Sequence, residues 1–142
     1  MGIFTIKARF YNPEELERSL VAEAWVDTGA TFTGLPISTL RGLGLEPRWR
    51  GRARLADGRE VEREFATIGL ELEGQVGEVA VVFKEEGSPP VLGAEALETL
   101  GFWVDPIERK LIPKPPWIKL PIFPLKGEPF FVYIGVDGNL YH

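Results

Sequence analysis

The chain reads as an all-β protein with one or two short helices, and three observations carry that reading. Apolar and polar residues alternate with period two over several separate stretches, hairpin-type turn residues divide those stretches, and the helix-compatible segments are only a few residues long. Phe4, Ile6, Ala8 and Phe10 alternate with Thr5, Lys7 and Arg9, which predicts a half-buried strand ended by Asn12-Pro13. After a polar connection from Glu14 to Arg18, a second alternation sets Leu20, Ala22, Ala24 and Val26 on one side and Glu23 on the other, and delivers the chain to Asp27. Pro36 suits the first turn of a short helix to about Arg41, closed by Gly42 and Gly44.

From Trp49 to Phe83 the pattern is β structure broken by short turns. Asp57-Gly58 stands between Arg52–Ala56 and the alternation Val61, Arg63, Phe65, Thr67, a hairpin signal. Gly74 marks the next reversal, before a strand from Val76 to Phe83, and Gly87-Ser88-Pro89-Pro90 makes a loop. A helix from Ala94 to Leu100 stops at Gly101. Phe102-Trp103-Val104 forms a strand, Asp105-Pro106 turns, and Lys110-Leu111-Ile112 returns.

Beyond Pro113 the composition changes. Prolines 113, 115, 116, 121, 124 and 129 forbid regular helix and disfavour a central strand. The expected organisation is therefore a domain over residues 1–112 and a proline-rich extension over 113–142, ending in the β-prone run Phe130-Phe131-Val132-Tyr133-Ile134 with Asp137-Gly138 as a turn back to Leu140-Tyr141. Left exposed, such an aromatic strand invites aggregation, so it is expected to cover a sheet edge in its own subunit or a partner's.

Composition narrows the chemistry. A chain of 142 residues suits one domain, or one domain with an appendage. There is no cysteine and a single histidine, His142, which removes thiolate metal sites, disulfides and the histidine-based triads of serine and cysteine hydrolases. No metal and no cofactor are expected; carboxylates, hydroxyls, lysines and backbone remain. A net charge of −5 argues against nucleic acid as a partner. The exception is Arg48, Arg50, Arg52 and Arg54, whose alternate spacing puts them on one strand face, either solvated or facing an acidic partner. No apolar run is long enough to cross a bilayer, and Met1–Lys7 lacks the pattern of a secretory leader, so no membrane partner and a cytoplasmic location are expected. Side-chain amides are confined to Asn12, Gln75 and Asn139, a bias shared with heat-adapted, thermostable proteins. Trp25, Trp49, Trp103 and Trp117 read as core or interface aromatics rather than substrate pockets.

The most informative residues are Asp27-Thr28-Gly29. They follow the apolar strand Ala24-Trp25-Val26 and precede Ala30 and the hydroxyl of Thr31. Downstream, Pro90-Val91-Leu92-Gly93 leads into the helix Ala94–Leu100. Together the two blocks resemble the retropepsin-like aspartic proteases, especially their small prokaryotic single-domain members. The resemblance implies the acid-protease fold, a closed β-barrel, and an aspartic endopeptidase that hydrolyses peptide bonds with Asp27 as the catalytic carboxylate. Aspartic proteolysis needs two such acids sharing a proton. Asp57-Gly58, Asp105-Pro106 and Asp137-Gly138 do not repeat the triplet, so the second acid has to come from another subunit, as in retropepsin-like enzymes, and a homodimer acting on a peptide or protein substrate is implied.

The same resemblance assigns the neighbours. Thr28 would hydrogen-bond across the dimer, Gly29 would bring its N–H to the carboxylate, and Ala30 and Thr31 would complete the active-site loop with the Thr31 hydroxyl as a buttress. Val91, Leu92 and Gly93 would pass beside that loop, with glycine at position 93 because a side chain would collide. Ala56, Asp57 and Gly58 would form the tip of a flap over the substrate, here poorer in glycine and more charged than in retroviral members. Ala94 stands where those members carry arginine. The alternative implied by the same scaffold is a proteolytically silent dimer that binds extended peptide segments by strand addition.

Overall fold

A computed structural model describes residues 3–54, 58–114, 118–134 and 140–141. Strands β1 (Phe4–Asn12) and β2 (Glu15–Val26) form an antiparallel hairpin turned by Pro13 and Glu14. The polar connection expected from Glu14 to Arg18 is thus largely strand. Residues 15–19 are exposed throughout, so this end of the ribbon has no buried face to impose alternation. From Leu20 onward the expected pattern holds: Ala24 and Val26 are fully buried, while Trp25 faces outward.

Then follow β3 (Thr33–Pro36), α1 (Ile37–Gly42), β4 (Trp49–Arg54), β5 (Glu60–Leu72), β6 (Gln75–Lys84) and β7 (Val91–Leu92). Helix α2 (Ala94–Leu100) ends, as expected, at Gly101 in the left-handed region, φ 78°. A two-stranded sheet pairs β8 (Phe102–Asp105) with β9 (Lys110–Pro113). β10 (Ile118–Ile122), β11 (Phe130–Ile134) and β12 (Leu140–Tyr141) form a separate three-stranded sheet.

The main sheet has the order β1-β2-β7-β3-β6-β5-β4, with an additional pairing of β1 to β5 through Arg9↔Glu71, Phe10↔Leu70 and Tyr11↔Gly69. That pairing joins strands far apart in the linear order, so the sheet curls back on itself, and Arg9 pins the contact by bonding Glu71 at 2.6 Å while lying 4.7 Å from the Tyr11 ring centre. The result is an all-β fold with two short helices among the described residues. Inside the curl sit Phe10, Val26, Leu35, Ile68, Leu70, Val81 and Leu92, all buried, with Ala96, Leu97 and Leu100 of α2 packed against them. Each such aliphatic or aromatic side chain contributes about 1.5–3 kcal/mol by leaving water.

The arginine-rich face of β4 has a local explanation. Register places Arg50 opposite Glu64, Arg52 opposite Glu62 and Arg54 opposite Glu60, and Arg52 reaches Glu60 at 3.4 Å. Arg48 bonds Glu14 at 3.0 Å. Opposite charges from within the chain thus meet Arg48 and Arg52.

Phe130–Ile134 does not cover an edge of the main sheet; it is the central strand of the small sheet, between β10 and β12. Pro121 lies in β10, an edge strand, where a missing N–H is tolerated. Trp25, Trp49 and Trp103 are each more than a third exposed, so none is core. Trp117, like Asp137-Gly138, falls outside the described residues. No helix among the described residues is long and apolar enough to cross a membrane.

Candidate active site

Asp27 is the first residue after β2, and the buried strand sets its position. Val26 has no exposed surface and pairs in parallel with Leu92 of β7; one residue later the Asp27 N–H donates to the Leu92 carbonyl at 3.0 Å. The chain then turns at once: the Ala30 N–H donates to the Asp27 carbonyl at 3.1 Å. Within that turn the Gly29 N–H donates to Asp27 Oδ1 at 3.0 Å, so main chain aims the carboxylate. A Cβ on residue 29 would lie 3.2 Å from that oxygen. Asp27 itself is half-buried, while Thr28 and Gly29 are exposed.

The segment after β7 grips this loop from the other side. The Ala94 N–H donates to the Ala30 carbonyl at 2.8 Å and the Glu95 N–H to the Thr31 carbonyl at 2.9 Å. Between them, the Gly93 N–H donates to the hydroxyl of the fully buried Thr33 at 3.2 Å. The backbone of Phe32 passes so close to Gly93 that a Cβ there would stand 2.5 to 2.8 Å from its main-chain atoms. Asp27, Ala30 and Thr31 are therefore brought together with Leu92 and Gly93, and the chain contact at Gly93 is the kind that only glycine permits. Thr31 offers its carbonyl; the hydroxyl that supports the neighbouring segment is that of Thr33.

Above the loop lies a groove of about 520 Å³. Asp27, Ala30 and Thr31 form one side, Val91 borders them, and Ala53 and Arg59 bring in the arms of the β4–β5 hairpin. Its tip residue Gly58 is left-handed, φ 88°, as a turn requires; Ala56 and Asp57 lie outside the described residues. Phe32 meets Phe65 edge-to-face at 5.1 Å, and Trp49 stacks on Phe65 at 5.7 Å. A larger cleft of about 770 Å³ runs between Asn12, Leu45, Trp49 and Thr67, but the carboxylate of Glu14 on its wall is engaged by Arg48 and Asp27 is not part of it, so the chemistry favours the smaller groove.

Two groove residues were not singled out by sequence. The stem of Lys84 lies across Gly34, where any side chain would collide with it, and its Nζ donates to the Pro89 carbonyl at 3.2 Å. Burial pushes the Lys84 ammonium below the ordinary 10.5, and the Asp27 carboxylate partly restores it. Arg63, half-buried on β5, is the other. The available signal was slight: a lysine closing an apolar strand, Val79-Ala80-Val81-Val82-Phe83-Lys84, looks like an ordinary strand end until β3 is laid beside it.

Residues 18–96 match the aspartyl protease family. The matched span starts in β2 and ends in α2, so it contains Asp27, the β4–β5 hairpin and the Val91–Gly93 segment, and it covers more than half of the 142 residues. Among curated proteins none matches the chain. A carboxylate turned out of a buried strand, a peptide-sized groove above it and this match agree, and the chain belongs to the aspartyl protease family in its retropepsin-like form, a hydrolase of the aspartic type.

Proposed function

We propose that two copies of the chain assemble with their Asp27 carboxylates side by side, and that this pair hydrolyses peptide bonds as an endopeptidase. The observation that carries the reading is the framing of Asp27: its amide is fixed to Leu92 and its Oδ1 accepts the Gly29 N–H, so the acid reaches the groove in one orientation. Two carboxylates at such a distance cannot both ionise, and their pKa values separate. The ionised acid takes a proton from water as the water oxygen attacks the peptide carbonyl. The protonated acid donates a hydrogen bond to the carbonyl oxygen and stabilises the charge that develops there.

The remaining roles are assigned by resemblance to the family. Thr28, exposed at the apex of the turn, ties the two loops together across the dimer axis. Thr31 and Ala30 hold the loop to α2 through their carbonyls. Val91, Leu92 and Gly93 form its rigid backing, and Ala56, Asp57 and Gly58 close over the bound peptide as a flap. Residues 1–112 make the catalytic domain and 113–142 an extension that serves assembly. A cytoplasmic, heat-adapted protein is the setting that the cysteine-free, amide-poor composition supports.

The decisive variant is Asp27→Asn. Cleavage of a mixed peptide library should fall by roughly a thousandfold or more, with circular dichroism and sedimentation unchanged. Cleavage by the variant at the wild-type rate, or a protein that sediments as a monomer while cleaving, overturns the paired-acid mechanism.

A further inference from the structure

Lys84 ends β6 opposite Pro36 of β3, yet its side chain is half-buried rather than free in water. The stem turns back across Gly34, a buried residue at which any side chain would collide with the lysine Cγ and Cδ. Its Nζ donates to the Pro89 carbonyl at 3.2 Å. That carbonyl opens the segment that seats the catalytic strand: the Pro90 carbonyl accepts the Trp25 N–H at 2.9 Å, and the Leu92 carbonyl accepts the Asp27 N–H at 3.0 Å. An ammonium is thus fastened to the backing of Asp27, and both groups line the groove. Ordering a long lysine stem and taking its charge partly out of water both oppose folding, so the placement asks for a reason.

Burial pushes the Lys84 ammonium below the ordinary 10.5, and the Asp27 carboxylate acts against that push. Attraction between two charges is mutual, so the ammonium favours the charged form of Asp27 to the same extent. The other charges nearby are differently placed. Arg52 of β4, Arg59 ahead of β5 and Glu85 beyond β6 stand on the groove wall but are exposed, where water and salt weaken their field. Arg52 also reaches Glu60, and the half-buried Arg63 of β5 donates to the Glu62 carbonyl. From the helices, Arg41 of α1 lies toward Glu46 at 4.0 Å, and Glu95 of α2 accepts the Ala80 N–H and the Thr99 hydroxyl. Strands β3 and β7 carry no charged residue, and Glu86 is engaged by Ser38. Lys84 combines the two properties that let a charge act on Asp27: it is half-buried, and it is tied to the segment that holds that acid.

We propose that Lys84 is a positioning residue for peptide hydrolysis, its fixed charge keeping one acid of the Asp27 pair ionised and ready to take the proton from water. This rests on the peptidase reading above and adds to it a control on the pH range in which the pair works. Lys84 itself makes no bond to the substrate and exchanges no proton with it.

The test measures kcat/KM against pH on one cleaved member of a mixed peptide library, with the full-length wild type, Lys84→Met and Lys84→Arg. Methionine keeps the stem and drops the charge; its acid limb should move to higher pH by about half a unit to one unit. Arginine keeps the charge and should leave the limb near its wild-type position. A lysine that only ties the loop to Pro89 would, when replaced, lower kcat/KM by one factor at every pH. An acid limb that stays in place in Lys84→Met therefore overturns the proposal and leaves the peptidase standing. The coupling is read a second time without substrate, by acetylating wild type and Asp27→Asn across a pH series and quantifying the label on Lys84 by peptide mass mapping. Loss of the carboxylate should bring Lys84 into its uncharged, reactive form at a lower pH; coincident labelling curves overturn the proposal. Neither protein in that comparison is altered at Lys84, so it decides the matter even if Lys84→Met does not fold. Should no peptide be cut, the peptidase reading fails by itself and the labelling curves alone decide whether Lys84 steadies the Asp27 charge.

Discussion

Glu86 closes the start of α1 without belonging to the helix. Pro36, at the cap position, has no side-chain donor or acceptor to offer, and Glu86 takes its place: one carboxylate oxygen accepts the Ser38 hydroxyl and the other the Ser38 N–H, each at 2.7 Å. Those two bonds, the hydroxyl first, hold the Glu86 carboxyl below the ordinary 4.5. A carboxyl lowered in the folded state stabilises it above the unfolded value, and that stabilisation is lost as pH falls through the lowered one. Thermal melts should therefore show the wild type above Glu86→Gln at neutral pH, with the gap closing as pH drops below 4.5. Gly93→Ala tests a different contact. With Phe32 backbone 2.5 to 2.8 Å from the added methyl, the neighbouring chain has to move, and urea unfolding should register a loss of roughly 1–3 kcal/mol. At this scale Asp27 and Gly93 were legible because their reasons are local: a strand end, a turn, a close backbone pass. Lys84 was not, because what makes it unusual is Gly34, fifty residues back in the chain and adjacent only once β3 and β6 pair.

The turn between β5 and β6 is built from two residues. Leu72 pairs with Gln75, leaving Glu73 and Gly74 as the whole connection, and both have positive φ, 47° and 85°. That is the two-residue hairpin geometry that favours asparagine followed by glycine. Glu73→Asn should raise stability by about 0.5 kcal/mol, read as a higher urea midpoint at unchanged slope; a lower midpoint would mean that Glu73 has a compensating contact. Elements with such punctuation were readable in advance: Gly74 marked this turn, and Gly101 ended α2 at the expected residue. Two others were not. The start of β2 is a ribbon exposed on both faces, so its composition is that of a loop. β3 is four residues containing glycine and proline, fully buried through Leu35, and only its neighbours β6 and β7 make it a strand.

For the molecule as a whole, the core among the described residues lies ahead of the extension. Its last residue there is Leu111, and the Lys114 N–H still bonds the Gly101 carbonyl at 2.7 Å. Past that point β10, β11 and β12 pair with one another, and Phe123, Leu125, Phe130 and Phe131 are all exposed. A chain ending after Lys114 should keep its β-type circular dichroism and melt within a few degrees of the full-length protein, while sedimentation equilibrium shows weaker self-association. A truncated chain that fails to fold would place part of the core in the extension. The overall β architecture was legible because alternation is a property of each strand alone; the partition into separate sheets was not, because it depends on which strands meet. The grip on the loop at Asp27 has one more implication. The bonds joining Ala30 to Ala94 and Thr31 to Glu95 run from main chain to main chain, so they are blind to side-chain identity. Evolution is free to rewrite Ala30, Thr31 and Ala94 without loosening the clasp, whereas inserting or deleting one residue on either side would unfasten it.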